Sequence, residues 1–391
     1  MPAIPGMQLE SLSTDGNLMR HLFSNICLRF NFIAWLLFAC CTRQAPAAQA
    51  LDLAARMQPV PATAAFHDPG YYVWCGTLVR GEDGRYHLYY SRWKIRDGFE
   101  SWVTRSEIAH AVGTSPSGPF VFHDVALPPR DPRMWDGMVT HNPTVHRWKG
   151  KYYLYYMGNT GDGVVKTGLN WTHRNNQRIG VAIATNPDGP WQRFDHPLID
   201  VSKDPSAPDS LCVANPSVTQ GHDGRLHLLY KAVGRQKPLP FGGPVVHLMA
   251  TSDSPTGPFH KDPTPLFTIA GNNFPFEDPF FWYDRARDRY FVIMKDNHGV
   301  VSGTGRSSLV LYESPDTRTW SRSEHLLVSD LELHWKDRPT QQVSRMERPQ
   351  LLFDSEGNAT ALTVAIYEDA QTTYNVSIPL LPARSERSSA P

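Results

Sequence analysis

The residues of this chain best suited to chemistry are carboxylates and amides set beside prolines. Phe276-Glu277-Asp278-Pro279 holds two adjacent acids, and Glu347-Arg348-Pro349 holds an acid next to a guanidinium. Asn142-Pro143 and Asn215-Pro216 repeat the polar-proline pairing with amides, His141 precedes the first of them, and Trp135-Asp136-Gly137 lies shortly upstream. If these segments open strands that converge, Asp136, Asp278 and Glu347 share one pocket. Crowded carboxylates repel one another, so one keeps its proton near neutrality while another stays ionised, as the pairing of a general acid with a general base requires. Each acid also has an ordinary use: Asp278 and Asp136 suit turns, and Glu347 can pair with Arg348. Strand alternation sends neighbours to opposite faces, which predicts that Glu277 points away from the pocket that Asp278 faces.

The elements that must position these residues repeat along the chain. An aromatic strand recurs as Tyr86-His87-Leu88-Tyr89-Tyr90, Tyr152-Tyr153-Leu154-Tyr155-Tyr156, Leu226-His227-Leu228-Leu229-Tyr230 and Tyr290-Phe291-Val292-Ile293-Met294. A small-residue strand follows each, and Gly118-Pro119-Phe120, Gly189-Pro190-Trp191 and Gly257-Pro258-Phe259 open a last strand in three of the units. Such recurrence is the signature of a repeat architecture. Four strands per unit, with a fifth partial unit from Glu347 to Tyr367, predict an all-β, five-bladed β-propeller of four-stranded antiparallel blades, in which each blade shields its neighbour's edges. The fifth blade is expected to borrow a strand from residues 60–68, because ring closure brings the first and last elements together. The propeller is predicted over 60–375 and a C-terminal tail over 376–391.

Composition agrees with this plan. The 28 glycines and 33 prolines supply turns, and the 11 tryptophans and 15 tyrosines suit pleated surfaces. With 38 basic and 38 acidic residues and no long single-sign run, nothing marks nucleic acid or an anionic membrane as a partner. Residues 1–50 read as an export leader: Arg20, His21 and Arg29 precede the apolar run Ile33–Cys40, which is too short to span a bilayer, and Ala48-Gln49-Ala50 offers a small-x-small cleavage site. Lipidation at Cys40 is the alternative, and either route places the protein in the periplasm or outside the cell. Beyond the leader only Cys75 and Cys212 remain, predicted free and buried.

Gathering the inner-strand positions gives Trp74 and Cys75 in the first unit, Asp136, His141 and Asn142 in the second, Asp209 and Asn215 in the third, Glu277 and Asp278 in the fourth, and Glu347 and Arg348 in the fifth. Glycoside hydrolysis needs one acid to protonate the leaving oxygen and one base for water. Trp93, Trp135, Trp171 and Trp282 would offer faces to sugar C–H surfaces. Lys231, Lys295 and Arg348 could meet an anionic substituent, as in algal or pectic sugars. Zinc-type spacing, phosphate-cradling glycine loops and a Gly-x-Ser-x-Gly elbow are all lacking, so the residues themselves name no cofactor.

The Asp278-Pro279 strand start, the aromatic run Gly150–Tyr156 following Asn142-Pro143, and the repeated Gly-Pro-aromatic turns resemble those of five-bladed propeller glycosidases. These are the arabinanase and xylosidase type of glycoside hydrolase family 43 and the anhydrogalactosidase type of family 117, and the resemblance covers about residues 65–370. It implies an Asp base on the first blade, a second Asp that tunes pKa, an acid on a later blade, and room for a calcium or sodium ion in the channel. Asp278 matches the tuning position and Glu347 the acid. Cys75 stands where the first-blade base belongs, which leaves Asp136, or more weakly Asp68, to take that role. The expected activity is exported, inverting hydrolysis of a terminal sugar from a plant or algal oligo- or polysaccharide. Trp74, Trp135, His141, Asn142, Asn215, Lys231, Lys295 and Arg348 would bind that sugar. The alternatives are a non-catalytic glycan-binding propeller and a phosphorylase or lyase on the same fold.

Overall fold

The structure is a computed structural model and describes residues 50–382; the expected leader, with Cys40, and the end of the chain lie outside them. Five four-stranded antiparallel sheets follow one another. Their innermost strands are Tyr71–Arg80, Val139–Trp148, Cys212–Gln220, Phe276–Asp284 and Arg345–Phe353. In the first four blades the chain steps outward strand by strand. The fifth is completed from the other end of the chain, where Ala65–Phe66 pairs with Thr373–Pro379 in the register Ala65↔Val376. That closure joins first and last elements and removes two open sheet edges.

Apolar packing sits between blades, with a separate buried cluster at each of the five junctions. This explains why the second strands read as nearly continuous aromatic runs. On Lys151–Asn159, Tyr152, Leu154 and Tyr156 pack against Val79 and Tyr89 of the first blade, while Tyr155 joins the cluster with Val213 and Leu228 of the third. A strand buried on both faces has no polar side to show.

Two boundaries differ from expectation. Thr373–Pro379 carries the fifth blade past residue 375, because Tyr374, Val376 and Ile378 are buried on one face of that strand. At the other end Leu51 and Leu53 are buried against the fourth and fifth blades, ahead of residue 60. Cys75 and Cys212 are free and buried. Among the described residues no helix is long and apolar enough to cross a membrane.

Candidate active site

The five inner strands share one irregularity. Each breaks register at its polar segment, between Trp74 and Thr77, His141 and Thr144, Ala214 and Ser217, Glu277 and Phe280, and Glu347 and Gln350. At each break one residue has a left-handed backbone: Cys75 at φ 56°, Asn142 at 53°, Asn215 at 52°, Asp278 at 58° and Arg348 at 56°. Asn and Asp tolerate this region because their short polar side chains bond locally, whereas a cysteine or arginine held there costs on the order of 1–3 kcal/mol and persists only where the surroundings over-determine it.

Here the surroundings are a run of hydrogen bonds around the axis. The Cys75 thiol donates to Asn142 Oδ1 at 2.8 Å, Asn142 Nδ2 donates to Asn215 Oδ1 at 2.5 Å, and Asn215 Nδ2 donates to Asp278 Oδ1 at 2.7 Å. From the other side the Arg348 backbone N–H reaches Asp278 Oδ2 at 3.3 Å and its Nη1 reaches Oδ1 at 3.4 Å. All five residues are at most 5 % exposed, so they form the floor of a pocket rather than its rim. Burial pushes the Cys75 thiol far up, with Arg348 opposing, so Cys75 serves as a proton donor within the floor and has no thiolate for chemistry.

Above this floor lies a cleft of about 180 Å³. Glu277 and Glu347 reach into it, with side chains 20 % and 12 % exposed. Lys231 Nζ meets Glu277 Oε1 at 2.6 Å and Lys295 Nζ meets Glu347 Oε1 at 2.5 Å. The expectation that Glu277 points away from Asp278 is therefore corrected. Alternation assumes an extended backbone at every residue, and the left-handed turn at Asp278 brings both neighbours to the same cleft.

The two adjacent carboxyls are driven apart in pKa. Burial, then the ionised Glu277 alongside, raises Asp278 to about 6. Burial opposes charge on Glu277 too, but Lys231 and Lys295 outweigh it and hold Glu277 at about 2. His141 is pushed well below its ordinary value by burial, then by Arg348 and Lys231, and so is neutral. Its Nδ1 lies 2.8 Å from Ser106 Oγ, and its ring faces Trp102 at 5.2 Å.

Asp278 binds its proton more tightly folded than unfolded. Its contribution to stability is therefore complete below its ordinary pKa of 3.8 and is lost as pH rises through about 6. Glu277 acts in the opposite sense, contributing stability above its ordinary 4.5 that is lost as pH falls through about 2. In Asp278→Asn the loss between pH 4 and 7 is expected to vanish. Urea midpoints at the two ends of that window should show the variant gaining on wild type by on the order of 3 kcal/mol.

Of the residues singled out in the sequence, Trp74, His141, Asn142, Asn215, Lys231, Lys295, Asp278, Glu347 and Arg348 line this cleft. Asp136 and Trp135 do not. Asp136 is fully buried, its Oδ1 2.5 Å from Arg130 Nε, its Oδ2 2.7 Å from the Tyr156 hydroxyl and 3.4 Å from Arg193 Nη1. Trp135 lies on Tyr156 and donates Nε1–H to the Phe194 carbonyl. A Cβ on Gly180 would come within 2.5 Å of that indole, so the slot it occupies exists only because residue 180 is glycine.

The placement of Asp136 follows a rule repeated in two other blades. Tyr90 bonds Asp68, which also meets Arg92, and Tyr230 bonds Asp209, which also meets Lys261. The aspartate-to-tyrosine spacing is 22, 20 and 21 residues in the first, second and third blades. In each case an aspartate just ahead of an inner strand is clasped onto the second strand of its own blade. This recurrent spacing is the signal that separates these three acids from the pocket.

Phe99, Glu100 and Trp102 also line the cleft though no motif in the sequence singles them out, Arg345, close to the Glu347 acid in sequence, lines it as well, and Trp171 and Trp282, expected near it, do not. Phe99, Glu100 and Trp102 belong to three short helical turns over Ile95–Arg105, inserted between the second and third strands of the first blade. An unusually long interval between two paired strands, rich in aromatics, was the available signal. Arg345 is exposed and lies over the rings of Phe99 and Tyr367.

No protein-family model matches the chain, and no curated protein matches it in sequence. Solved structures do match in shape. A family 117 glycoside hydrolase produced by the marine bacterium Zobellia galactanivorans aligns with a TM-score of 0.60 at 17% identity, over 86% of this chain and 92% of that one. An endo-arabinase from Bacteroides thetaiotaomicron aligns with a TM-score of 0.55 at 12% identity, over 83% and 98% of the two chains. A family 43 β-xylosidase/α-arabinofuranosidase from a compost microbial metagenome gives 0.52 at 14% identity, over 87% and 97%. At these identities the likeness is one of fold, and this chain is similar to those glycoside hydrolases in being a five-bladed β-propeller.

Proposed function

We propose that the protein is a glycoside hydrolase that removes a terminal sugar, with Glu277 and Glu347 as the working carboxylates and Asp278 beneath them. The observation that carries this reading is the gathering of three carboxyls from two adjacent inner strands in one aromatic-walled cleft. Glu277, held ionised by Lys231 and Lys295, is the carboxylate open to accept a proton from water, and the same lysines keep its basicity low. Glu347, ionised while it pairs with Lys295, takes the acid role after it picks up a proton, protonating the leaving oxygen, and Asp278 is the carboxyl beside the pair that retains a proton in weakly acidic solution. Trp102, partly exposed, supplies a flat face for a sugar ring, with the buried Trp74 and Trp93 in the same wall. Among the described residues Arg345 lines the mouth with no carboxylate partner, which favours a sugar bearing an anionic substituent.

The test is a panel of neutral, uronic and sulfated plant and algal oligosaccharides, scored for released monosaccharide with wild type beside Glu277→Gln. Release from an anionic member by wild type, and its loss in Glu277→Gln, is the expected result; binding without release by wild type would sink the reading. A second reading, phosphorolysis, draws on the four cations Lys231, Lys295, Arg345 and Arg348 around the same cleft. Turnover that requires added phosphate would select it.

A further inference from the structure

A second constellation of titratable groups lies away from the axial cleft, where the second blade meets the first. His87 and His110 are on the second and third strands of the first blade, both fully buried. His123 is on its outermost strand, and Asp188 sits in the turn after Arg178–Ala184 of the second blade. That turn is held against the first blade by the Tyr89 hydroxyl, which donates to the Pro187 carbonyl at 2.5 Å. His87 Nδ1 faces His110 Nε2 at 2.9 Å, Asp188 Oδ1 lies 3.6 Å from His87 Nδ1, and His123 Nε2 lies 3.6 Å from the same oxygen.

The outer nitrogens of the two buried rings are already committed. His87 Nε2 meets Asp83 Oδ1 at 3.3 Å, and His110 Nδ1 meets Asp124 Oδ1 at 3.2 Å. A carboxylate accepts, so each of these contacts places the ring N–H on the outward nitrogen. The inward nitrogens then carry lone pairs, and they point at each other and at a carboxylate oxygen. Arg85 Nη2 takes the other oxygen of Asp188 at 3.4 Å, while Asp188 Oδ1 is buried with no hydrogen-bond partner. With the N–H groups on the outward nitrogens, three lone pairs converge, and a bound cation resolves that arrangement.

The distances suit a metal ion. A tetrahedral zinc site with bonds of about 2.0–2.1 Å has donor-to-donor edges of about 3.3 Å, and the separations of His87 Nδ1 from His110 Nε2 and from Asp188 Oδ1, 2.9 and 3.6 Å, bracket that value. Imidazole with a single carboxylate selects zinc-class ions over calcium or magnesium, which take oxygen shells. Carboxylates on the outer nitrogens of both histidines are the usual supporting groups of such sites.

We infer that His87, His110 and Asp188, whose donor atoms gather within 4.8 Å of one another, bind a zinc-class divalent transition-metal ion that staples a turn of the second blade onto the first, with water as the fourth ligand. Its three protein ligands come from three separate segments on two blades, so no short sequence motif announces it.

The test uses the full chain stripped with a chelator and then titrated with Zn²⁺, and separately with Co²⁺. One zinc per chain is expected, with a rise in melting temperature and the intense visible absorption of four-coordinate cobalt. Asp188→Asn should weaken zinc binding at least about tenfold, and Asp124→Asn by about 10–100-fold. Calcium should give no shift. Stripped wild type that takes up no zinc, or binds it as tightly as Asp188→Asn does, overturns the inference. So does six-coordinate, weakly absorbing cobalt, a readout on wild type that is independent of whether any variant folds.

Discussion

Glu347→Gln is expected to lower turnover on an oligosaccharide by about 10²–10⁴-fold, the range over which a positioned general acid contributes. The amide keeps the shape of the side chain and can still meet Lys295 Nζ, now 2.5 Å from Glu347 Oε1, but it cannot deliver a proton to a departing sugar oxygen. The loss should depend on the leaving group. A nitrophenyl glycoside departs without protonation, so the variant should recover most of its rate on that substrate, while a variant lacking the base should not. Turnover on the natural oligosaccharide within about threefold of wild type, in a variant with unchanged melting temperature, would remove Glu347 from the mechanism.

Asp136→Ala is expected to act on stability instead. Asp136 is fully buried between Arg130, Arg193 and the Tyr156 hydroxyl, and deleting it leaves two guanidinium groups beside an empty acceptor site. Breaking a buried pair from one side costs about 3–5 kcal/mol, because the remaining charge is uncompensated. Urea unfolding should show that loss, while kcat per folded molecule stays close to wild type. A stable Asp136→Ala protein with no turnover would instead return Asp136 to the catalytic set, as the sequence alone had suggested.

The contrast between these two acids shows how far residue order reaches. Asn142, Asn215, Asp278 and Arg348 were recognisable from their recurring prolines, and the structure brings them together on one floor. The fold was legible for the same reason, since each aromatic second strand repeats and is buried on both faces. Asp136 was misplaced because proximity in sequence to His141 and Asn142 was taken for proximity in space. Asp136 lies ahead of the strand, where Tyr156 and two arginines capture its carboxylate. Glu277 was misplaced for a different reason, a single backbone angle.

What the order of residues determined by itself is the periodic part: five units, their strand character, and the polar positions that open each inner strand. These depend on local pattern and turn chemistry, which a linear string carries. Tertiary structure alone decided which carboxyls face the cleft and which clasp a loop, because that choice turns on left-handed angles at five bulges and on cations supplied from other strands. It likewise decided that Phe99, Glu100 and Trp102 wall the cleft, and that His87, His110, His123 and Asp188 meet across a blade boundary. Contacts between residues so far apart in the chain are set by how the blades pack into a ring, and no spacing along the chain encodes them.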